Sequence, residues 1–91
     1  MRSFTDLHNK IDSSISWDTL QAGIHKLPEQ QQVVLTHYYG EGLTFRLIAN
    51  KINVSPSKVS LLHTRAVHTL RMSLSEAYRE RIRDIISRVV M

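Results

Sequence analysis

Apolar residues recur three or four positions apart along most of the chain, and this spacing most strongly limits what the chain can fold into. A clear example is a set at i, i+3, i+7 and i+11, which falls on one face of an α-helix: Val59, Leu62, Ala66 and Leu70. No stretch alternates apolar and polar residues as a half-buried strand would. Only two prolines and three glycines interrupt the 91 residues. The sequence therefore predicts an all-α domain.

Residues that favour helix ends divide this pattern into segments. Ser3, Ser16 and Thr44 are suited to accept hydrogen bonds from first-turn amides, and Pro28 and the pair Ser55-Pro56 are suited to the start of a helix. Residues 12–16 are predicted to be a break, residues 40–42 (GEG) a helix stop and residues 53–55 a short turn. Of the tyrosine pair at 38–39, one ring is expected to be buried. Five helices are therefore expected before residue 72.

The segment after residue 72 has two interpretations. Ser73 and Glu76 match a capping box, so a last helix either begins at Ser73 or continues the fifth helix. An amphipathic stripe in this segment could pack on the core, bind a partner or form a homodimer: Leu74, Tyr78, Ile82, Ile85 and Val89. The resulting division is an N-terminal short helix and linker at 1–16, a helix-turn-helix domain at 17–71 and a C-terminal amphipathic helix at 72–91.

The size and the charge of the chain limit which classes of function are possible. The mass of 10.5 kDa allows one small domain. No apolar run exceeds three residues, so we expect no membrane partner, and the absence of cysteine fits a cytoplasmic protein. The net charge is +4, and the positive excess lies after residue 32. A polyanion or a merely solvated basic surface are both consistent with that charge.

Chemistry at an active site is not indicated. Serine, histidine and aspartate all occur, but no nucleophile motif surrounds any serine. His63 and His68 are five residues apart, which places them about 140° apart around a helix, too far to share one metal ion. His63 is expected to be a packing or backbone-contact residue. We expect no catalytic residue, no metal and no cofactor.

Residues 43–70 have the organisation of a helix-turn-helix. Ala49 is small where the helices must approach closely, and Val54 and Val59 anchor the turn and the second helix. In such a unit the second helix enters the DNA major groove, and its outward side chains contact bases and phosphates: Ser57, Lys58, Ser60, Leu61, Thr64 and Arg65. Amides at the start of the first helix, at Thr44 and Phe45, offer a site for a phosphate. Any helical corner packs similarly, so a purely structural role stays open at this point.

Several blocks in fixed order resemble domain four of bacterial sigma factors over residues 17–71. The blocks are residues 27–35 (LPEQQQVVL), 38–44 (YYGEGLT), 48–49 (IA), 54–60 (VSPSKVS) and 62–63 (LH), followed by Ala66 and residues 70–71 (LR). Residues 59–63 (VSLLH), taken with the first two blocks, are most similar to the flagellar or motility branch. The expected fold is a small helical domain with a central helix-turn-helix plus an additional C-terminal amphipathic helix.

The resemblance implies a function and a set of contacts. Domains of this family recognise the upstream (minus-35) promoter element as part of a sigma factor in RNA polymerase holoenzyme, dock on the flap of the polymerase β subunit and are often masked by anti-sigma factors. By position, Pro56, Ser57, Ser60 and Leu61 would read bases, and Thr44, Phe45 and Arg65 would face phosphates. The chain would be either part of a larger sigma factor or a free-standing regulator, in the bacterial cytoplasm and associated with the nucleoid.

Departures from the family pattern support a second hypothesis. Primary sigma factors usually have arginine and glutamate where Pro56 and Ser57 stand, and arginine and glutamine where Ser60 and Leu61 stand. The bidentate arginine contacts that dominate base readout are therefore missing, and weak autonomous DNA affinity is expected. The alternative is a protein-interaction module or a free-standing dimeric regulator, bound by an anti-sigma factor or polymerase, with little direct DNA readout.

Overall fold

A computed structural model of the chain describes residues 3–90, apart from the side chains of residues 75–82 and 90. Within these residues the elements are helical: α1 Phe4–Ile11, α2 Trp17–His25, α3 Glu29–Leu35, a π-helical segment Thr36–Gly40, α4 Phe45–Ile52 and α5 Pro56–Val90. The all-α prediction is confirmed for this part of the chain.

Side-chain caps fix where the helices start. The Ser3 hydroxyl accepts from the Asp6 amide while the Asp6 carboxylate accepts from the Ser3 amide, which is a complete capping box. Ser16 accepts from the Thr19 amide, and Ser55 accepts from the Lys58 amide at 3.1 Å. Each cap satisfies an amide that has no partner inside its helix. The predicted helix starts at Ser3, Ser16 and Ser55-Pro56 are thus confirmed.

The connection from α2 to α4 contains a backbone feature that the sequence did not reveal, a π-helical segment. Pro28 precedes α3 instead of occupying its first turn, and the side-chain amide of Gln32 donates to the Leu27 carbonyl at 2.7 Å. After Leu35 the helix widens into the π-helical segment, which ends at Gly40. Gly42 has a φ of 70°, which glycine adopts without steric cost. The predicted stop at residues 40–42 is confirmed, and the widening before it is new.

Two groups of buried side chains form the core. The first, here called the N-terminal cluster, joins α1 and α2 to α3, the π-helical segment and the middle of α5; its buried members are Leu7, Leu20, Leu27, Leu35, Tyr39, Ala66, Val67 and Leu70. Gly23 lets α2 approach α5 closely, since a Cβ atom at this position would lie 3.1 Å from Cδ2 of Leu70. Tyr39 is only 3% exposed, so the expectation of one buried ring in the tyrosine pair is confirmed.

The second group, the helix-turn-helix cluster, joins α4 and the start of α5 to α3. Its buried members are Val34, Ile48, Ala49, Val59 and Leu62, with Val54 packed against them from the turn. Neighbouring residues of α3 therefore face different clusters, Val34 this one and Leu35 the N-terminal cluster.

Helix α5 runs without interruption through Ser73 and on to Val90. The continuation that the sequence analysis left open is therefore the arrangement adopted, and Ser73 starts no new helix. Leu74 still packs against the N-terminal cluster. Beyond it, the helix extends the molecule to 57 Å along its longest axis, against 22 and 17 Å along the others. Across the part of the chain that the structure describes, no helix combines the length and the apolar character needed to cross a membrane.

Candidate nucleic-acid interface

Helices α4 and α5 are joined by a three-residue turn that sets their crossing. Asn53 ends α4 with a φ of 59° and a ψ of 49°, a left-handed conformation that asparagine adopts more readily than most residues. The Val54 amide then donates to the Ala49 carbonyl at 3.0 Å, and the Val54 side chain packs against the helix-turn-helix cluster. Ser55 and Pro56 start α5 directly afterwards. The geometry is that of a helix-turn-helix, as the sequence predicts.

The first three turns of α5 present a continuous exposed strip opposite their buried face. Val59, Leu62 and Ala66 point into the core, with exposed fractions of 0%, 5% and 0%. All the α5 residues that the sequence analysis assigned to DNA are exposed and follow one another along this strip: Pro56, Ser57, Lys58, Ser60, Leu61, Thr64 and Arg65. We call these seven residues the reading strip. Hydroxyl, aliphatic and cationic groups in such an arrangement can contact base edges and phosphates.

Thr44 and Phe45 are positioned differently from the reading strip. The Thr44 hydroxyl accepts from the Leu47 amide at 3.2 Å and so caps α4. The Phe45 ring is partly buried, with its centre 4.8 Å from that of Tyr38 and 5.4 Å from that of His63. Their side chains therefore hold α4 in place. What they can offer an anion is the set of backbone amides in the first turn of α4, as the sequence analysis suggested.

Four aromatic rings pack together where α5 meets the π-helical segment and α4: Tyr38, Tyr39, Phe45 and His63. The Nε2 atom of His63 lies 2.7 Å from the hydroxyl of Tyr39, which joins α5 to the π-helical segment. The rings of Tyr38 and Phe45 also pack around His63. Burial, and to a smaller extent the positive charge of Lys10, lowers the pKa of His63 from its ordinary value of 6.5. The expectation that His63 is a packing residue is confirmed.

The cationic side chains of α4 and α5 differ in whether a carboxylate lies close to them. Lys51, at the end of α4, lies 3.6 Å from the Glu41 carboxylate, which also contacts His37 at 2.8 Å. The hydrogen bond with His37 lowers the pKa of Glu41, so this carboxylate stays ionised and offsets the charge of Lys51. Lys58 and Arg65, by contrast, stand exposed on the reading strip.

The residues assigned to a partner at the C-terminus do not form one surface in the described part of the chain. Leu74 packs against the N-terminal cluster. Ile85 and Val89 are 60% and 79% exposed. The side chains of Tyr78 and Ile82 lie outside the described residues.

One group of residues near the reading strip was missed by the sequence analysis. Thr64 also lines an open cleft of about 310 Å³ together with Lys10, His68 and Arg71. Lys10 belongs to α1 and is 61 residues from Arg71, so no local motif connects them. A signal was present only in the helical repeat of α5, in which Thr64, His68 and Arg71 follow one another at spacings of four and three.

Comparison with known proteins gives a consistent result. Residues 23–72 match the family described as Sigma-70, region 4. The chain is 37% identical over 70 residues to RNA polymerase sigma factor FliA of Salmonella typhimurium and to its namesake in Escherichia coli K12; in both cases the match covers 77% of this chain and 29% of the relative. It is 36% identical over 53 residues to the RNA polymerase sigma-D factor of Bacillus subtilis, covering 58% of this chain and 21% of that protein. The chain thus spans less than a third of the length of these relatives. No solved structure matches it significantly.

Proposed function

Because the chain belongs to the sigma-70 region 4 family, we propose that it recognises promoter DNA as the domain of a sigma factor that binds the upstream (minus-35) element in RNA polymerase holoenzyme. The observation that carries this proposal is the reading strip. The reading strip lies at the start of α5, directly after the turn at Asn53. This is the part of the second helix that a helix-turn-helix inserts into the major groove. It is a binding function, and the described residues contribute contacts to it without covalent chemistry.

Two kinds of contact follow from the side chains of the reading strip. Lys58 and Arg65 would bind phosphates, which fixes the position of the helix on the duplex. Ser57 and Ser60 would hydrogen-bond to base edges, and Leu61, which is 42% exposed, would contact a thymine methyl group. Serines provide less discrimination than bidentate arginines do. We therefore propose that the isolated domain binds DNA weakly and depends on polymerase, through contact with the β-subunit flap, for stable promoter binding.

The test is a salt-dependence series on duplex DNA with the 91-residue chain. A direct DNA binder shows a linear decrease of log affinity with log salt concentration, since each phosphate contact releases counterions. Arg65→Ala should make this slope shallower by about one. Arg88→Ala is the matched control because it removes the same charge from the same helix, about 35 Å further along its axis.

The result that would overturn the proposal is the absence of DNA binding at low salt, both for the chain alone and in the presence of RNA polymerase core enzyme. Equal slopes for the two arginine variants would instead remove Arg65 from the phosphate contacts.

A second candidate function is supported by the exposed apolar residues at the end of α5. Ile85, Ile86 and Val89 are 60%, 54% and 79% exposed, which is unusual for adjacent large apolar side chains on a helix that serves only the fold. An anti-sigma factor or a second copy of the chain would cover them. Sedimentation of the chain and of Ile85→Asp, with Ser87→Asp as control, tests self-association. An unchanged monomer mass for all three removes the homodimer.

A further inference from the structure

The cleft between α1 and α5 concentrates groups that bind anions. The described residues that line it include a lysine, an arginine, two histidines and a threonine: Lys10, His63, Thr64, Val67, His68 and Arg71. None of these described lining residues is acidic. Its volume of about 310 Å³ is roughly ten times the volume of one water molecule in the liquid. A phosphate group with part of its hydration shell fits such a space.

The guanidinium of Arg71 fixes the geometry of this cleft. Its Nε and one of its Nη atoms donate to the Lys10 carbonyl at 3.1 and 3.0 Å. Lys10 is the next-to-last residue of α1, so this pair of bonds attaches the C-terminal end of α1 to α5. A guanidinium has five N–H groups, and two serve this carbonyl. The remaining ones can be offered to an anion in the cleft.

Lys10 lies close to α5, because it lines the cleft together with His63 and its carbonyl accepts from Arg71. Its positive charge adds to the effect of burial in lowering the pKa of His63. Lys10 itself is exposed at the surface. Its ammonium group can therefore reach both the cleft and the solvent in front of it.

The cleft continues the reading strip. Leu61, Thr64, His68 and Arg71 are separated by three, four and three residues, so they lie on one side of α5. Thr64 belongs to both the reading strip and the cleft. Arg71 is ten residues beyond Leu61, which is about 15 Å along the helix axis. The major groove is about 12 Å wide, so a helix with Leu61 at the bases brings Arg71 to the sugar-phosphate backbone that borders the groove.

From these observations we propose that the cleft binds a backbone phosphate of the same DNA that the reading strip contacts, with Lys10 and Arg71 as its cationic groups and His68 and Thr64 as hydrogen-bonding groups. The inference rests on the proposed function, since it extends that DNA contact. It also gives α1 a role. This helix precedes the matched residues 23–72, and through Lys10 it contributes a phosphate contact that the helix-turn-helix alone does not have.

The experiment compares Lys10→Ala with Lys26→Ala in the 91-residue chain. Both lysines are exposed, and only Lys10 lines the cleft. The probes are two duplexes of unrelated sequence, titrated between 50 and 200 mM salt. Lys10→Ala should weaken binding several-fold on both duplexes to the same extent and reduce the magnitude of the salt slope by about one, as loss of a phosphate contact does. Lys10→Arg, which keeps the charge, should restore the slope.

Arg71→Ala is unsuitable as the deciding variant because it also removes the two hydrogen bonds that join the end of α1 to α5. Thermal unfolding of each lysine variant verifies that the fold is kept.

The outcomes separate this inference from the proposed function. Absence of binding by the unmodified chain, alone or with polymerase, would defeat both. If Lys10→Ala and Lys26→Ala bound DNA with equal affinities and equal salt slopes, the phosphate site in the cleft would be contradicted and the proposed function would be unaffected. The same would hold if Lys10→Ala weakened binding to polymerase alone, since the cleft would then receive an acidic protein surface.

Discussion

The N-terminal cluster and the helix-turn-helix cluster are built in different ways. The helix-turn-helix cluster is local: α4, the turn and the first turns of α5 supply most of it, within residues 45–62. The N-terminal cluster is assembled from distant segments, because Leu7 and Leu20 meet Leu70 across at least 50 residues of chain. The helix-turn-helix cluster positions the reading strip. The N-terminal cluster attaches α1 and α2 to the middle of α5.

The difference shows why the family pattern and the whole fold do not coincide. Every buried member of the helix-turn-helix cluster lies within residues 23–72, which match the family. Leu7 and Leu20 lie before that range. The helix-turn-helix could therefore be identified from one stretch of sequence, whereas the N-terminal cluster depends on contacts that only the folded chain shows. Both clusters nevertheless share α3 and α5, and this sharing leads to the predictions below.

The largest effects are expected from cavities in the two clusters. Leu7→Ala and Ile48→Ala each remove a side chain that is 0% exposed, so each should lower the free energy of unfolding by about 2–5 kcal/mol. Because α3 and α5 contribute to both clusters, each variant should still unfold in one transition. Urea denaturation followed by circular dichroism measures this, with Leu61→Ala as an exposed control expected to change stability by less than about 0.5 kcal/mol. Separate transitions for the two halves would show that the clusters are independent.

A smaller loss of folding stability is expected from substitutions in the turn between α4 and α5, which belongs to the helix-turn-helix alone. Asn53 has a φ of 59°, so Asn53→Ala should cost about 1–2 kcal/mol, the penalty of a Cβ atom in the left-handed region without a short polar side chain. Asn53→Gly is the matched control, because glycine has no such penalty. Thermal unfolding of the two variants compares them directly. Equal loss of stability in both would mean that the Asn53 side chain, and not its backbone conformation, stabilises the turn.

The hydrogen bond between Tyr39 and His63 links the two clusters. Tyr39 belongs to the N-terminal cluster, and the ring of His63 contacts Phe45, which packs against the helix-turn-helix cluster. Tyr39→Phe removes one hydroxyl and should lower the free energy of unfolding by about 1 kcal/mol. In a double-mutant cycle with His63→Gln, the two substitutions should be non-additive, since they share one contact. Additive losses would show that the bond carries no net coupling between the clusters.

Much of the fold could be predicted because short-range signals control it. The helix starts at Ser3, Ser16 and Ser55 follow from side chains that cap their own first turn. The left-handed turn at Asn53 follows from the residue type itself. The reading strip was predicted as exposed because the apolar repeat from Val59 to Leu70 identifies the opposite face.

The parts that could not be predicted depend on long-range packing. The π-helical segment has no local signature in the sequence, and it directs Tyr39 towards the N-terminal cluster. The continuation of α5 through Ser73 competes with a well-formed capping sequence, and no local rule decides between them. The cleft requires Lys10 and Arg71 to meet across 61 residues. The close approach at Gly23 depends on Leu70, which lies 47 residues further along the chain, and no local pattern indicates this pairing.

The smallest effect we expect is a pH dependence that originates where the two clusters meet. Burial lowers the pKa of His63 in the folded chain below its ordinary value of 6.5, and Lys10 adds to this. Between the two pKa values the unfolded chain binds more protons, so the contribution of neutral His63 to stability is complete above about pH 6.5 and is lost as the pH falls below it. Urea unfolding at pH 7.5 and 5.5 should therefore show a larger loss for the unmodified chain than for His63→Gln, in which the other four histidines remain. Lys10→Ala should reduce the loss only partly, because burial is the larger cause. Parallel pH profiles for the unmodified chain and His63→Gln would show that His63 is protonated with equal ease in both states, and that the aromatic group around it is open to water.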